Sequence, residues 1–165
     1  PPPWQCPEPE KILVPTPVPK PCPKPPRELQ VFGGIEWVQV GDSGLKAKAR
    51  IDTGAKTSSL HADDVVEFER DGKRWVRFTF NAEEGQAPQL IEVPVVRKVR
   101  IKRHGEEVES QRRYAVKLLL VIGPVSEKVE VTLNDRSDFE YPVLIGRNFL
   151  TDNAVVDVSK KYNAR

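Results

Sequence analysis

The sequence predicts an all-β domain, a small barrel or sandwich of short antiparallel strands with one short helix near its C-terminus. Three observations carry this. Apolar residues recur with period two in short runs, turn-forming residues separate those runs, and no segment keeps a 3.6-residue period over three turns. A parallel sheet with crossover helices is therefore not expected.

The elements follow in order. Val31–Val40 is apolar and alternates at its end, after which Gly41-Asp42-Ser43-Gly44 turns the chain. Leu45–Ile51 alternates cleanly, which predicts a half-buried strand ending at Asp52-Thr53-Gly54. Val65–Glu69 and Arg74–Phe80 flank Asp71-Gly72, the strongest short hairpin signal in the chain. Further strands are predicted at Ile91–Val96, Val99–Arg103, Glu107–Arg113, Tyr114–Val121, Lys128–Leu133, Pro142–Ile145 and Ala154–Val158, with turns at His104-Gly105, Gly123-Pro124 and Asn134-Asp135. Arg147–Thr151 reads as the short helix.

Residues 1–26 are different in kind. Twelve of the 16 prolines of this 165-residue chain lie there, so the segment supplies neither a regular helix nor a central strand. It reads as a flexible, Pro-rich linker, and residues 27–165 as the folding unit. Without the linker's three lysines and two glutamates, 23 basic residues face 22 acidic ones, a net charge of +1. That balance argues against a nucleic-acid partner, which calls for a clear basic excess. No window approaches 18 apolar residues, so no helical membrane span is expected. The chain opens on proline, and a Pro-rich spacer often separates a domain from an anchor. The expectation is an export signal or membrane anchor ahead of Pro1 and a bacterial periplasmic location; a linker to a cytoplasmic domain is the plainer alternative. Cys6 and Cys22 both lie in the linker, where a disulfide would close a 15-residue loop. Such a bond is worth at most about 3 kcal/mol and would not staple the main fold.

The candidate chemistry sits at Ala49-Arg50-Ile51-Asp52-Thr53-Gly54-Ala55-Lys56-Thr57-Ser58-Ser59-Leu60. A carboxylate ends an apolar strand and is followed by a small hydroxyl residue and a glycine. Alone, such a triplet is an ordinary strand-ending turn. Ninety-four positions after Asp52 stands Gly146, inside Tyr141-Pro142-Val143-Leu144-Ile145-Gly146-Arg147-Asn148-Phe149-Leu150. A metal site is not expected, because His61 and His104 are far apart in sequence and no zinc-ligand spacing is present. No cofactor is expected either.

Together the two motifs resemble those of the retropepsin-like aspartic proteases, in which an apolar strand runs into D-[ST]-G-A and a distal apolar pair precedes Gly, a polar pair and a leucine. More narrowly, Ile51 to Ala62 is similar to the bacterial RimK-associated group often labelled ATP-dependent zinc proteases. That label finds no ligand set in this sequence. The resemblance covers about residues 30–160 and implies a retropepsin-like closed barrel and an aspartic endopeptidase acting on a polypeptide. Such hydrolysis needs two carboxylates sharing one proton. One chain offers one, so the resemblance implies a homodimer with Asp52 of each subunit facing across a two-fold axis. It assigns Thr53 to the loop contact across that axis, and Gly54 and Ala55 to the substrate cleft. Val143–Ile145 should pack beneath the Asp52 loop, with Gly146 permitting a close crossing. The C-terminal strand, here Val155–Val158, pairs between subunits in the family.

A flap is expected at Val99–Arg113, with His104 and Gly105 at its tip beside the substrate; a second candidate is the loop Asn81–Pro88. Two features depart from the retroviral pattern. Lys56 stands where an acidic residue is usual, and the separation of Asp52 and Gly146 is longer by about thirty residues, predicting an added β element around residues 66–96. The rival to a peptidase is a non-catalytic peptide-binding or assembly domain of the same fold, holding an extended chain by β-addition.

Overall fold

The computed structural model describes residues 10, 12–18, 27–83, 85–101 and 111–165. Among them are ten strands, β1 (Gln30–Val40), β2 (Lys46–Ile51), β3 (Ser58–His61), β4 (Asp63–Arg70), β5 (Lys73–Phe80), β6 (Gln89–Ile101), β7 (Gln111–Ile122), β8 (Val125–Asn134), β9 (Val143–Ile145) and β10 (Ala154–Lys161), and one helix, α1 (Arg147–Leu150). The all-β expectation holds. The predicted hairpin is β4–β5, where Asp71 and Gly72 both adopt positive φ, 52° and 74°, as a two-residue turn demands.

Strands β1, β2, β9, β3, β8 and β7 lie side by side in that order, and pairing of Gln39 and Val40 in β1 with Val121 and Leu120 in β7 closes them into a six-stranded barrel. Beyond β7 the sheet continues through β6, β5 and β4. This extension is the added β element that the long separation of the two motifs predicts.

Most ladders are antiparallel, as expected, but β1–β10, β2–β9 and β3–β8 are parallel. Parallel pairing needs a long crossover rather than a helix as such. For β2 and β9 the crossover is all the chain between them. Three boundaries also differ from the sequence reading. Strand β3 falls where only the tail of a motif was expected. The strands predicted at Ile91–Val96 and Val99–Arg103 fuse into β6, with a register shift between Val95 and Arg97. Tyr114–Val121 likewise extends back to Gln111.

The barrel interior is built from the alternate residues that face inward. Ala47, Ala49 and Ile51 of β2 are buried, whereas Lys46, Lys48 and Arg50 between them face outward. Val38, Val40, Leu60, Leu120 and Ile145 come in from neighbouring strands. Phe32 stacks on Phe149 with ring centroids 6.4 Å apart, tying β1 to α1.

A buried carboxylate locks the C-terminal segment to β1. Glu36 is 1% exposed, and its Oε1 accepts hydrogen bonds from the backbone N–H groups of Gly33 (2.6 Å), Asn163 (2.8 Å) and Ala164 (3.1 Å). The Tyr162 N–H donates to the Ile35 carbonyl at 2.8 Å beside it. Hydrogen bonds to a charged acceptor are worth more than neutral ones, and their loss would leave amides unpaired. Glu36→Ala should therefore cost about 3 kcal/mol in urea unfolding, and Glu36→Gln, which keeps one acceptor oxygen, distinctly less.

Candidate functional site

Strand β2 delivers Asp52 to the surface. Its buried residues end at Ile51, which pairs with Ile145, and the Asp52 N–H donates to the Ile145 carbonyl at 2.9 Å. The ladder then stops, and residues 52–57 turn away. Asp52 is half-buried, while Thr53 and Gly54 are exposed at the tip. Within the loop the Gly54 N–H donates to Asp52 Oδ1 at 2.9 Å, so the carboxylate orientation is fixed by its own turn.

The loop is held from below by the second motif, as the sequence predicts. The Arg147 N–H donates to the Ala55 carbonyl (2.8 Å) and the Asn148 N–H to the Lys56 carbonyl (3.2 Å). Arg147 Nη1 reaches the carbonyls of Thr53 (3.2 Å) and Gly54 (2.9 Å). Gly146 crosses so closely that a Cβ there would lie 2.5 Å from the Thr57 carbonyl oxygen and 2.9 Å from that of Ala55.

Ser58 and Asn148 complete the fastening, a role the sequence reading did not assign. Fully buried Ser58 accepts the Gly146 N–H through Oγ at 3.0 Å and donates to Asn148 Oδ1 at 2.8 Å. Asn148 Oδ1 also takes the Ser58 N–H, and its Nδ2 donates to the Glu130 carbonyl of β8 at 2.7 Å. The signal was present, since both residues belong to the motifs, but only the fold shows that they meet.

Arg136 went unremarked as well. It is 6% exposed, with Nη1 donating to Ser59 Oγ (3.0 Å) and Nε to the Tyr141 carbonyl (3.3 Å). Burial pushes its guanidinium below the usual arginine range and the nearby Arg50 charge adds to this, while Asp52 opposes it. A lone arginine in a turn carries no sequence signal of that placement.

The remaining candidates divide. Among the described residues no group of three or more His, Cys, Asp or Glu could hold a metal ion. His61 packs between acidic neighbours. Its Nδ1 accepts the Arg136 N–H at 2.9 Å, which directs Nε2–H toward Asp63 at 3.1 Å. Cys6, Cys22, His104 and Gly105 lie outside the described residues. Strands β6 and β7 do pair toward the expected flap, Val99 with Arg113 and Ile101 with Gln111. The other flap candidate is Asn81–Pro88. Asn81 donates to Asp63 and Glu83 pairs with Lys48, four residues and roughly 13 Å along β2 from Asp52.

Because the obstacle at Gly146 is backbone, Gly146→Ala must displace the Asp52 loop or β9. It should cost about 3 kcal/mol in chemical denaturation, well above an Ala substitution at a solvent-facing strand position.

The pattern and geometry have counterparts elsewhere. The model of the family of the retropepsin-like aspartic endopeptidase RimB matches residues 31–165. A protein named probable alpha-L-glutamate ligase from Parasynechococcus marenigrum is 35% identical over 130 residues, 77% of this chain and 28% of that protein. One of the same name from Shewanella pealeana is 33% identical over 135 residues, 80% of this chain and 29% of that protein. The chain thus spans less than a third of the length of these relatives. A solved structure from Legionella pneumophila, of a protein of unknown function, aligns with a TM-score of 0.71 and 31% identity, covering 82% of this chain and 98% of that one. With a barrel that presents Asp-Thr-Gly on a loop fastened by Gly-Arg-Asn, and a family match over nearly the whole folded domain, the chain belongs to the RimB-like family of retropepsin-like proteins.

Proposed function

We propose that the domain is an aspartic endopeptidase whose active form is a homodimer. The observation that carries this reading is the placement of Asp52: a half-buried carboxylate at a strand end, oriented by the Gly54 N–H and mounted on a loop that β9 and α1 hold in place. Thr53 and Gly54 stand exposed beside it, available to a facing copy and to substrate backbone.

In the dimer, Asp52 and the partner subunit's Asp52 flank one water and share one proton. The unprotonated carboxylate takes a proton from the water as its oxygen attacks the peptide carbonyl carbon, and the protonated one donates to the carbonyl oxygen. The tetrahedral intermediate collapses with cleavage of the C–N bond, a proton passing to the leaving nitrogen, and an acid and an amine depart. Strand β10 supports the pairing of subunits. It is the terminal strand of the sheet, its outer edge is unpaired among the described residues, and Val155 and Val158 are 48% and 85% exposed.

The substrate class we assign is a glutamate-rich peptide. Relatives of this chain bear the name alpha-L-glutamate ligase, and the matched segment makes up under a third of each. A hydrolytic segment joined to such a ligase would have the α-linked glutamyl bond within reach. The cations around the loop, Arg50, Lys56, Arg136 and Arg147, suit an acidic chain.

Asp52→Asn tests the reading. It should abolish cleavage of an oligoglutamate peptide while leaving the unfolding midpoint nearly unchanged; a peptide-binding module would show no cleavage in either form. For the wild type, cleavage should be faster in mildly acidic than in alkaline solution, because one carboxylate of the pair must keep its proton. A rate still rising through about pH 9 would contradict the shared-proton scheme.

A further inference from the structure

We propose that Ile12–Val18, within the Pro-rich segment, is a one-edged β-strand that docks antiparallel on the free edge of β4 in the same chain. The inference stands apart from the peptidase reading and gives the added β element a partner.

The spacing of the prolines is the first observation. A residue in a strand sends its N–H and C=O to one edge, and the next residue sends them to the other. In Ile12-Leu13-Val14-Pro15-Thr16-Pro17-Val18-Pro19, proline takes every second position from 15 to 19. The missing donors therefore all fall on one edge, and Val14, Thr16 and Val18 keep theirs on the other. Proline is admitted to a sheet under that condition, in a terminal strand with its donorless side outward. The residues on the bonding edge, Ile12, Val14, Thr16 and Val18, are all β-branched, which favours extended backbone. In the structure Ile12–Val18 belongs to no strand, and Ile12, Leu13, Val14 and Val18 are at least 79% exposed. Four apolar side chains close in sequence thus stand in water, where burial against a sheet would be favourable.

Strand β4 supplies the complementary edge. It ends the sheet, and among the described residues it pairs on one side only, with β5. Arg70 and Lys73 close a two-residue turn as a hydrogen-bonded pair, so Phe68 and Val66 also bond toward β5. The backbone groups of Glu67 and Glu69 then point outward. Docking that sets Val14 opposite Glu69 and Thr16 opposite Glu67 brings Pro15 and Pro17 against Phe68 and Val66. Val66 is 45% exposed, and Phe68 lies beside Trp75, with ring centroids 6.3 Å apart, and under the Arg70 guanidinium. The two prolines extend that row. Charge agrees, because β4 carries four acids and one base while residues 11–24 carry three lysines and no acid. The reach is sufficient. Arg27 contacts Glu127 of β8 at 3.4 Å, and β8 lies four strand spacings, about 19 Å, from β4. The nine steps from Val18 to Arg27 span about 28 Å as polyproline II. Once docked, the segment caps β4 and presents its proline side to solvent, which bars further strand addition.

Amide exchange of the full chain, read residue by residue by NMR, tests the proposal. Val14, Val18, Glu67 and Glu69 should exchange about tenfold or more slower in wild-type protein than in Thr16→Pro, which loses a donor from the bonding edge. Leu13→Pro loses a donor from the outer edge and should keep the wild-type rates. Neither position belongs to the barrel core, so both variants leave the domain folded. Dilution should not change the protection, because the pairing lies within one chain. Segment amides exchanging as in an unfolded peptide, equal effects of the two variants, protection on β10 in place of β4, or protection that fades on dilution would each overturn the proposal.

Discussion

The close crossing of Gly146 under residues 55–57 is the contact on which the rest of the site depends. Two backbone segments approach within a distance that excludes even one methyl group. That proximity lets the first amides of α1 reach the carbonyls of Ala55 and Lys56 and lets Ser58 receive the Gly146 N–H. The loop bearing Asp52 is thus fixed by main-chain hydrogen bonds on a rigid barrel, and such mounting is what gives a reactive group a defined direction. The parallel β2–β9 ladder follows from the same need, since it brings both motifs, 94 residues apart, to one end of the barrel.

Much of this architecture was legible in the sequence. The clean alternation of Leu45–Ile51 states which residues face the core and where the strand ends, and Asp71-Gly72 announces its hairpin. The second motif foretold both the crossing and the helix. Strand β3 was harder to see, because Ser58 and Ser59 look like loop residues. Ser58 is buried only because Gly146 and Asn148 arrive to satisfy its hydroxyl. The parallel ladders were invisible for a similar reason, as pairing direction depends on a crossover that spans most of the domain.

Arg50 and Arg136 show where motif reading stops. Arg50 stands inside the first motif but reads as the polar half of an alternating strand, and Arg136 sits in a turn of ordinary composition. Their placement arises from three neighbouring strands and one connection folded against them. A site built this way divides its labour: the motifs fasten the reacting carboxylate, while Arg50 and Arg136, which take no part in that fastening, lie alongside it. Lys56 departs from the retroviral pattern in charge, while its backbone carbonyl accepts the Asn148 N–H and so takes part in fastening the loop.

The central claim is that two copies of Asp52 act as one unit, and a subunit-mixing titration addresses it directly. Wild-type chains are equilibrated with increasing amounts of Asp52→Asn chains under conditions of subunit exchange, and cleavage is measured at constant wild-type concentration. If each active centre needs one carboxylate from each subunit, mixed pairs are silent, and equal amounts of the two chains should leave about half the original rate. A rate unaffected by the added variant, with exchange verified, would show that one subunit suffices and would contradict the account.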